Sequence, residues 1–317
     1  MKKNVLNTLM ILLSITGTIA ILEFFLMIKS KFIIDYDTEM WRYSKTLKAK
    51  HPNPKINHIH KKNSEATLQK VKISLNRLGL RGNNQDLNEW NNSNKKILFL
   101  GSSITLGWGV EKDKVLTSLI ENRANNLNMN WKFLNAGVGN YNTERYVNNY
   151  FENLINLEPN VIIVQYFLND AEKLPNNSGN FFTRNFHLGI LIWKYMSIKS
   201  DNIKFKNIYD YYKNVYQNDK LLDVQKNLQK LKTHCKELGI RCIIVYTPDI
   251  QFIKDERFDE FENKIKLIAN QEKYEFLSLT KNIRKYSDQN LVNKYNDNHP
   301  NALGHKIMAE TIFEYLK

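Results

Sequence analysis

Gly101-Ser-Ser103, Asn169-Asp170 and Asp297-Asn-His299 carry the side chains best suited to acyl transfer in this 317-residue chain. A serine hydroxyl becomes a nucleophile when a base lies within hydrogen-bond reach and a third group orients that base. Backbone N–H groups and a side-chain amide then stabilise the oxyanion created by the attack. The glycines of Gly137-Val-Gly139 let backbone come close to a ligand. No Gly-Lys-Ser/Thr follows Gly101, which argues against a phosphate-binding loop. A Gly/Ser turn after a strand usually does no chemistry, and Asn169-Asp170 alone is an ordinary turn. The weight lies in the set.

The elements around these residues bring them together. Residues 97–100 are an apolar run ending at Gly101, the pattern of a buried strand with a helix to follow. Further strands are expected at 131–134, 161–167, 242–246 and 274–279. The helical spacing of Val115, Leu116, Leu119 and Ile120, of Tyr146 to Ile155, of Leu221 to Leu238, of residues 255–270 and of Met308 to Leu316 fills the gaps. Gly239 ends the helix before it as a C-cap. Five strands separated by helices imply a parallel sheet covered on both faces. Loops after successive strands of such a sheet meet at its carboxyl edge. Ser103 follows the first strand, Gly137-Val-Gly139 the second, Asn169-Asp170 the third, and Asp297-Asn-His299-Pro300 the last. Residues 171–220 interrupt the rhythm with aromatic-rich and tyrosine-rich stretches, read as insertion helices able to cap a site.

In these residues the chain resembles the SGNH/GDSL hydrolase family. The resemblance rests on Gly101-Ser-Ser103 with Thr105 and Gly107, Asn135-Ala-Gly-Val-Gly139, Asn169-Asp170, and Asp297-Asn-His-Pro-Asn301 with Gly304-His305. It covers residues 71–317, and Leu78-Gly-Leu-Arg-Gly82 is similar to the lead-in of membrane-anchored members. It implies a flavodoxin-like three-layer α/β/α sandwich with a five-stranded parallel sheet, and ester chemistry without metal or other cofactor. It assigns Ser103 as nucleophile, His299 as base, and the Ser103 N–H, Gly139 N–H and Asn169 side chain to the oxyanion hole. Three positions depart from the family pattern. Ser102 replaces a carboxylate, Phe167 replaces a glycine, and Asn296 stands where the family's aspartate precedes the histidine. Asp297 is the nearest carboxylate, and residues two apart in an extended loop project to the same side. The catalytic set is thus Ser103, His299 and Asp297, with a Ser-His dyad as the alternative. The expected activity is hydrolysis of acyl or O-acetyl esters of a glycan or lipid. The alternatives are an O-acyltransferase on the same site and a catalytically silent binding or assembly module.

Residues 5–28 form an apolar run with one charge, Glu23, long enough to span a bilayer. The run passes through Phe24 and Phe25 without a clear cleavage site, which reads as a single-pass anchor. The positive-inside count favours a cytoplasmic domain, whereas a lone span after a short basic start usually exports the domain behind it. The expectation is an extracytoplasmic catalytic domain. Net charge is +14, which favours anionic partners, but no nucleic-acid-binding motif is present. The expected organisation is an anchor at 1–30, a basic tether and edge segment at 31–94, and a hydrolase domain at 95–317 with the 171–220 insertion. His58-Ile-His60 reads as solvated surface and His305 as packing, while His187 and His234 have no partner visible in sequence. Cys235 and Cys242 read as small buried hydrophobes.

Overall fold

The structure is a computed structural model describing residues 2–175, 180–204, 207–294 and 297–317. The segment expected as a tether is folded. Asp35 caps the helix Tyr36–Leu47 by accepting from the Thr38 N–H. Strands β1 (Lys48–Lys50) and β2 (His58–His60) pair antiparallel, as do β3 (Ser64–Leu68) and β4 (Val71–Leu75). Each element offers only a few apolar residues, too few for a periodic signal. Together Tyr43, Leu47, Leu68, Ile73 and Leu75 pack with Leu106 and Trp108 into one cluster. His60 belongs to this interior at 3% exposure, correcting its reading as surface.

The strands of the large sheet are β5 (Lys95–Gly101), β6 (Trp131–Gly137), β7 (Val161–Phe167), β8 (Arg241–Thr247) and β9 (Glu275–Ser278). They form one parallel sheet in the order β6-β5-β7-β8-β9, the flavodoxin-like arrangement. Alternation along each strand divides the core. Leu98, Leu100, Ile162, Val164 and Ile244 face one layer. Ile97, Phe99, Ile163, Ile243 and Val245 face the other. Helices Asn218–Glu237 and Asp259–Gln271 cover the first face, and Leu116–Asn126 and Ala302–Leu316 the second. Each fully buried Leu, Ile or Val contributes about 1.5–3 kcal/mol relative to exposure. The three-layer sandwich is therefore carried by the runs that look like buried strands in sequence.

Cys235, at the end of its helix, and Cys242, at the start of β8, are joined in a disulfide. Each reads as a buried apolar position, and both are buried. The left-handed turn at Gly239, φ 68°, brings the two elements back on each other.

Two buried histidines give the fold an acid sensitivity. His60 and His305 are each lowered to about 3, chiefly by burial and further by the nearby Arg81 cation, while the hydrogen bond to the Gly79 carbonyl pulls His60 the other way. An unfolded histidine takes its proton near pH 6.5. Above that pH both states are neutral and the groups add nothing. Below it the unfolded chain binds protons that the folded chain refuses, so stability falls as pH drops. Each group steepens the fall by up to about 1.4 kcal/mol per pH unit. Thermal midpoints measured from pH 7 to pH 5 should decline steadily; a flat profile contradicts the neutral, buried state of these rings.

Candidate active site

β5 delivers Ser103 to the carboxyl edge, at the switch point where the chain runs from β5 to β6 on one side and returns to β7 on the other. The helix Ser103–Leu106 begins at the serine, so the Ser103 N–H is a first-turn donor without an intrahelical acceptor. Asn135 holds the second loop against this turn. Its Nδ2 donates to Thr105 O at 2.6 Å and its Oδ1 accepts from the Gly137 N–H at 3.0 Å. A Cβ at Gly137 would collide with the Leu106 backbone nitrogen, which fixes glycine there.

His299 Nε2 lies 2.7 Å from Ser103 Oγ, and His299 Nδ1 lies 2.6 Å from Asp297 Oδ1. The same Asp297 oxygen accepts from the His299 N–H at 3.0 Å, so the two-residue spacing closes an Asx-type turn that orients the ring. Burial pushes the Asp297 carboxyl up. The hydrogen bonds from the His299 ring and backbone and from Gln69 more than offset this and hold it below its usual range. Asn296 lies outside the described residues. Asp249 sits close enough to feel His299, and burial pushes it up to about 6 against the pull of that ring.

Ser102 is buried at 2% exposure beside Asp170 and makes no contact with His299. Of the two serines, only Ser103 is placed on the base. Asp170 itself is pushed well above the carboxylate range by burial, despite accepting from the Phe167 N–H at 3.1 Å. Asn169 is the second residue of the turn Leu168–Ala171 after β7, and its Oδ1 is buried without a hydrogen-bond partner. Phe167 packs against both core layers.

Gly139 differs from expectation. Its N–H donates to Tyr43 Oη at 2.9 Å, and a Cβ at this position would lie 2.6 Å from the Tyr43 ring. The phenol in turn donates to His60 Nε2 at 2.6 Å, and His60 Nδ1–H donates to Gly79 O at 2.9 Å. This closed chain commits the Gly139 donor to the protein, so the loop is braced by it instead of offering that N–H to a ligand. The resemblance assigns the Gly139 N–H to an oxyanion hole, and in this structure that N–H is held by Tyr43 Oη.

Several supporting residues escaped the sequence reading. Gln69 Nε2 donates to Asp297 Oδ2 at 2.6 Å, and the Gln69 N–H donates to the buried Glu39 carboxylate at 2.5 Å. Gln69 and Lys70 form the two-residue turn between β3 and β4 with φ 50° and 64°, where Asn-Gly is the usual signal. A left-handed non-glycine pair carries local strain, and here it aims an amide at the catalytic carboxylate. Arg81 ties the lead-in to the nucleophile turn by donating to the carbonyls of Leu106, Gly107 and Val110. The Tyr36 ring lies 5.8 Å from the His299 ring. Gln69→Leu removes one charge-assisted hydrogen bond and is expected to lower kcat about tenfold with KM unchanged. Steady-state kinetics with a melting curve check this; an effect on KM or melting alone contradicts a positioning role.

A cleft of about 380 Å³ lined by Arg81, Glu111, Thr117 and Asn135 includes none of Ser103, Asn169, Asp297 or His299. The polar series at the switch point lies apart from this cleft. A hydroxyl, an imidazole and a carboxylate in hydrogen-bonded series on a flavodoxin-like sheet are the arrangement of a serine hydrolase. Residues 99–307 match the model of the GDSL-like Lipase/Acylhydrolase family, and the chain belongs to that family. It is an ester-hydrolysing enzyme. Similar solved structures include the acetyl xylan esterase AlAXEase, 15% identical, covering 70% of this chain and 100% of its own, TM-score 0.43. TesA is 13% identical over 70% of this chain and 97% of its own, TM-score 0.47. A catalytic mutant of Axe2, an acetylxylan esterase from Geobacillus stearothermophilus, is 15% identical over 70% and 94%, TM-score 0.47. No curated protein matches the chain.

Proposed function

We infer that the protein is a serine esterase that hydrolyses acyl or O-acetyl esters of a glycan or lipid and is anchored in a membrane by its amino-terminal helix. The observation that carries the reading is the series Ser103 Oγ to His299 Nε2 to Asp297 Oδ1, at 2.7 and 2.6 Å. In the first step His299 takes the Ser103 proton as Oγ attacks the ester carbonyl. Asp297 steadies the imidazolium, and the Ser103 N–H and Asn169 amide hold the oxyanion. His299 then protonates the leaving alcohol. Water, activated by the same ring, releases the acid and restores the serine.

The helix Lys2–Phe32 carries the stretch Lys3–Ser30, with mean hydropathy 2.3 and no fully buried residue in its apolar window. The disulfide supports an extracytoplasmic domain, because such bonds persist in oxidising compartments. A reporter fused to the carboxyl terminus checks the side: cytoplasmic signal contradicts it. The activity is tested with the full chain in detergent micelles on an aryl acetate and on an acetylated glycan. Release of acetate is expected. Absence of turnover on any ester favours a silent module, and transfer to an added sugar acceptor in preference to water favours an acyltransferase.

A further inference from the structure

The aromatic-rich insertion is not core. Phe181 is 75% exposed, Leu191 53%, Ile192 44%, Trp193 52% and Tyr195 70%. Other exposed large apolar side chains of the described catalytic domain, such as Leu127, Leu238 and Leu267, are scattered singly, which is ordinary for a surface. Four exposed apolar or aromatic residues within five positions of one helix are a patch, and its location is specific.

The helix His187–Lys204 starts against the anchor. Glu23 accepts from the His187 N–H at 2.7 Å, from the Leu188 N–H at 2.9 Å and from His187 Nδ1 at 2.8 Å. Ser30 Oγ lies 3.3 Å from His187 Nε2. His187 thus bridges two positions seven residues apart on one face of the anchor, about 10 Å along its axis. Trp41 Nε1 donates to the carbonyls of Thr183 and Arg184, and its ring lies 4.9 Å from the His187 ring. At the other side of the patch, Lys194 pairs with Asp35 at 3.2 Å and Asp37 at 2.5 Å, beyond the end of the apolar stretch. The insertion helix therefore begins level with the last turns of the anchor and rises past its end.

We propose that residues 180–195 form a second membrane-contacting element, an interfacial foot that beds its exposed aromatic and aliphatic side chains in the bilayer beside the anchor. The proposal rests on reading Lys3–Ser30 as a membrane span. Two independent features name the bilayer as the occupant. A carboxylate inside an apolar span requires a partner at its own depth, and the donors that satisfy Glu23 belong to the insertion, so the insertion reaches that depth. Trp193 and Tyr195 combine apolar bodies with polar tips, the side chains that favour the headgroup level. Phe181 and Phe186, with centroids 6.2 Å apart, lie on the Glu23 side of the helix. The foot is tied to the site as well, since Asp35 and Asp37, which Lys194 holds, flank Tyr36 in the chain and the Tyr36 ring lies 5.8 Å from the His299 ring.

The test uses the full chain in vesicles of phosphatidylcholine and phosphatidylglycerol, spin-labelled at one introduced cysteine at a time: Leu13→Cys in the anchor, Ile192→Cys in the foot, and Leu267→Cys on the far surface. Oxygen, which partitions into lipid, and a water-soluble nickel complex report depth. Labels at 13 and 192 are expected to be oxygen-accessible and nickel-protected, and the label at 267 the reverse. A label at 192 as nickel-accessible as that at 267, with 13 protected, overturns the foot and leaves the anchor standing. Nickel access at all three positions overturns the span itself and the foot with it.

Discussion

Exchanging Asp297 for asparagine is expected to lower the maximal rate of ester hydrolysis by up to about 10⁴-fold and to leave the protein folded. Asp297 serves two donors at once, the His299 ring and backbone through Oδ1 and Gln69 through Oδ2. An asparagine placed with its oxygen on His299 turns its amide group against the Gln69 amide, donor against donor. Turned the other way, it presents N–H to His299 Nδ1 and forces the ring into the tautomer that cannot accept the Ser103 proton. In either orientation the imidazolium loses its counter-charge. His299→Ala should remove turnover altogether. Asn298, whose side chain bonds the exposed Gln251, is the control, and Asn298→Ala should leave the rate within about twofold. Maximal rates of the three variants against pH check the account. A silent Asp297→Asn together with a dead His299→Ala would establish a Ser-His dyad.

Ser103→Ala is expected to cost still more, on the order of 10⁶-fold in kcat where the nucleophile and base act as a unit. The change deletes one oxygen at a position 8% exposed and leaves no cavity of consequence, so melting should be unchanged. Ser102→Ala separates the two adjacent serines. The Ser102 hydroxyl lies beside Asp170 and away from His299, so its loss should spare most of the activity. Turnover retained in Ser103→Ala and lost in Ser102→Ala would reverse the assignment.

The sandwich was legible because buried parallel strands read as unbroken apolar runs, and residues 97–100 and 161–167 are such runs. The meeting of Ser103, His299 and Asp297 was legible for a related reason. Each loop follows its own strand, and a parallel sheet collects those loops at one edge. The supports were not legible. Gln69 and Asp297 are 228 positions apart, and the turn that joins them has left-handed Gln-Lys in place of a recognisable Asn-Gly pair. Tyr43 and His60 sit on short elements whose apolar content is too small for periodicity, so a folded brace resembled a tether. The hydrogen bond that holds the Gly139 N–H was hidden for the same reason, since its partner comes from that brace. Cys235 and Cys242 each fit an apolar face, and only the return at Gly239 makes them neighbours. Glu23 and His187 had no partner in sequence because each is the other's.

The most direct measurement is covalent capture of the nucleophile in the full chain. A fluorophosphonate requires a serine made reactive by its base, so the adduct marks the residue on which His299 acts. After reaction in micelles and proteolysis, mass spectrometry should place a single adduct on Ser103, absent from Ser103→Ala and formed more slowly in Asp297→Asn. An adduct on Ser102, or stoichiometric labelling that persists in Ser103→Ala, would contradict the catalytic series.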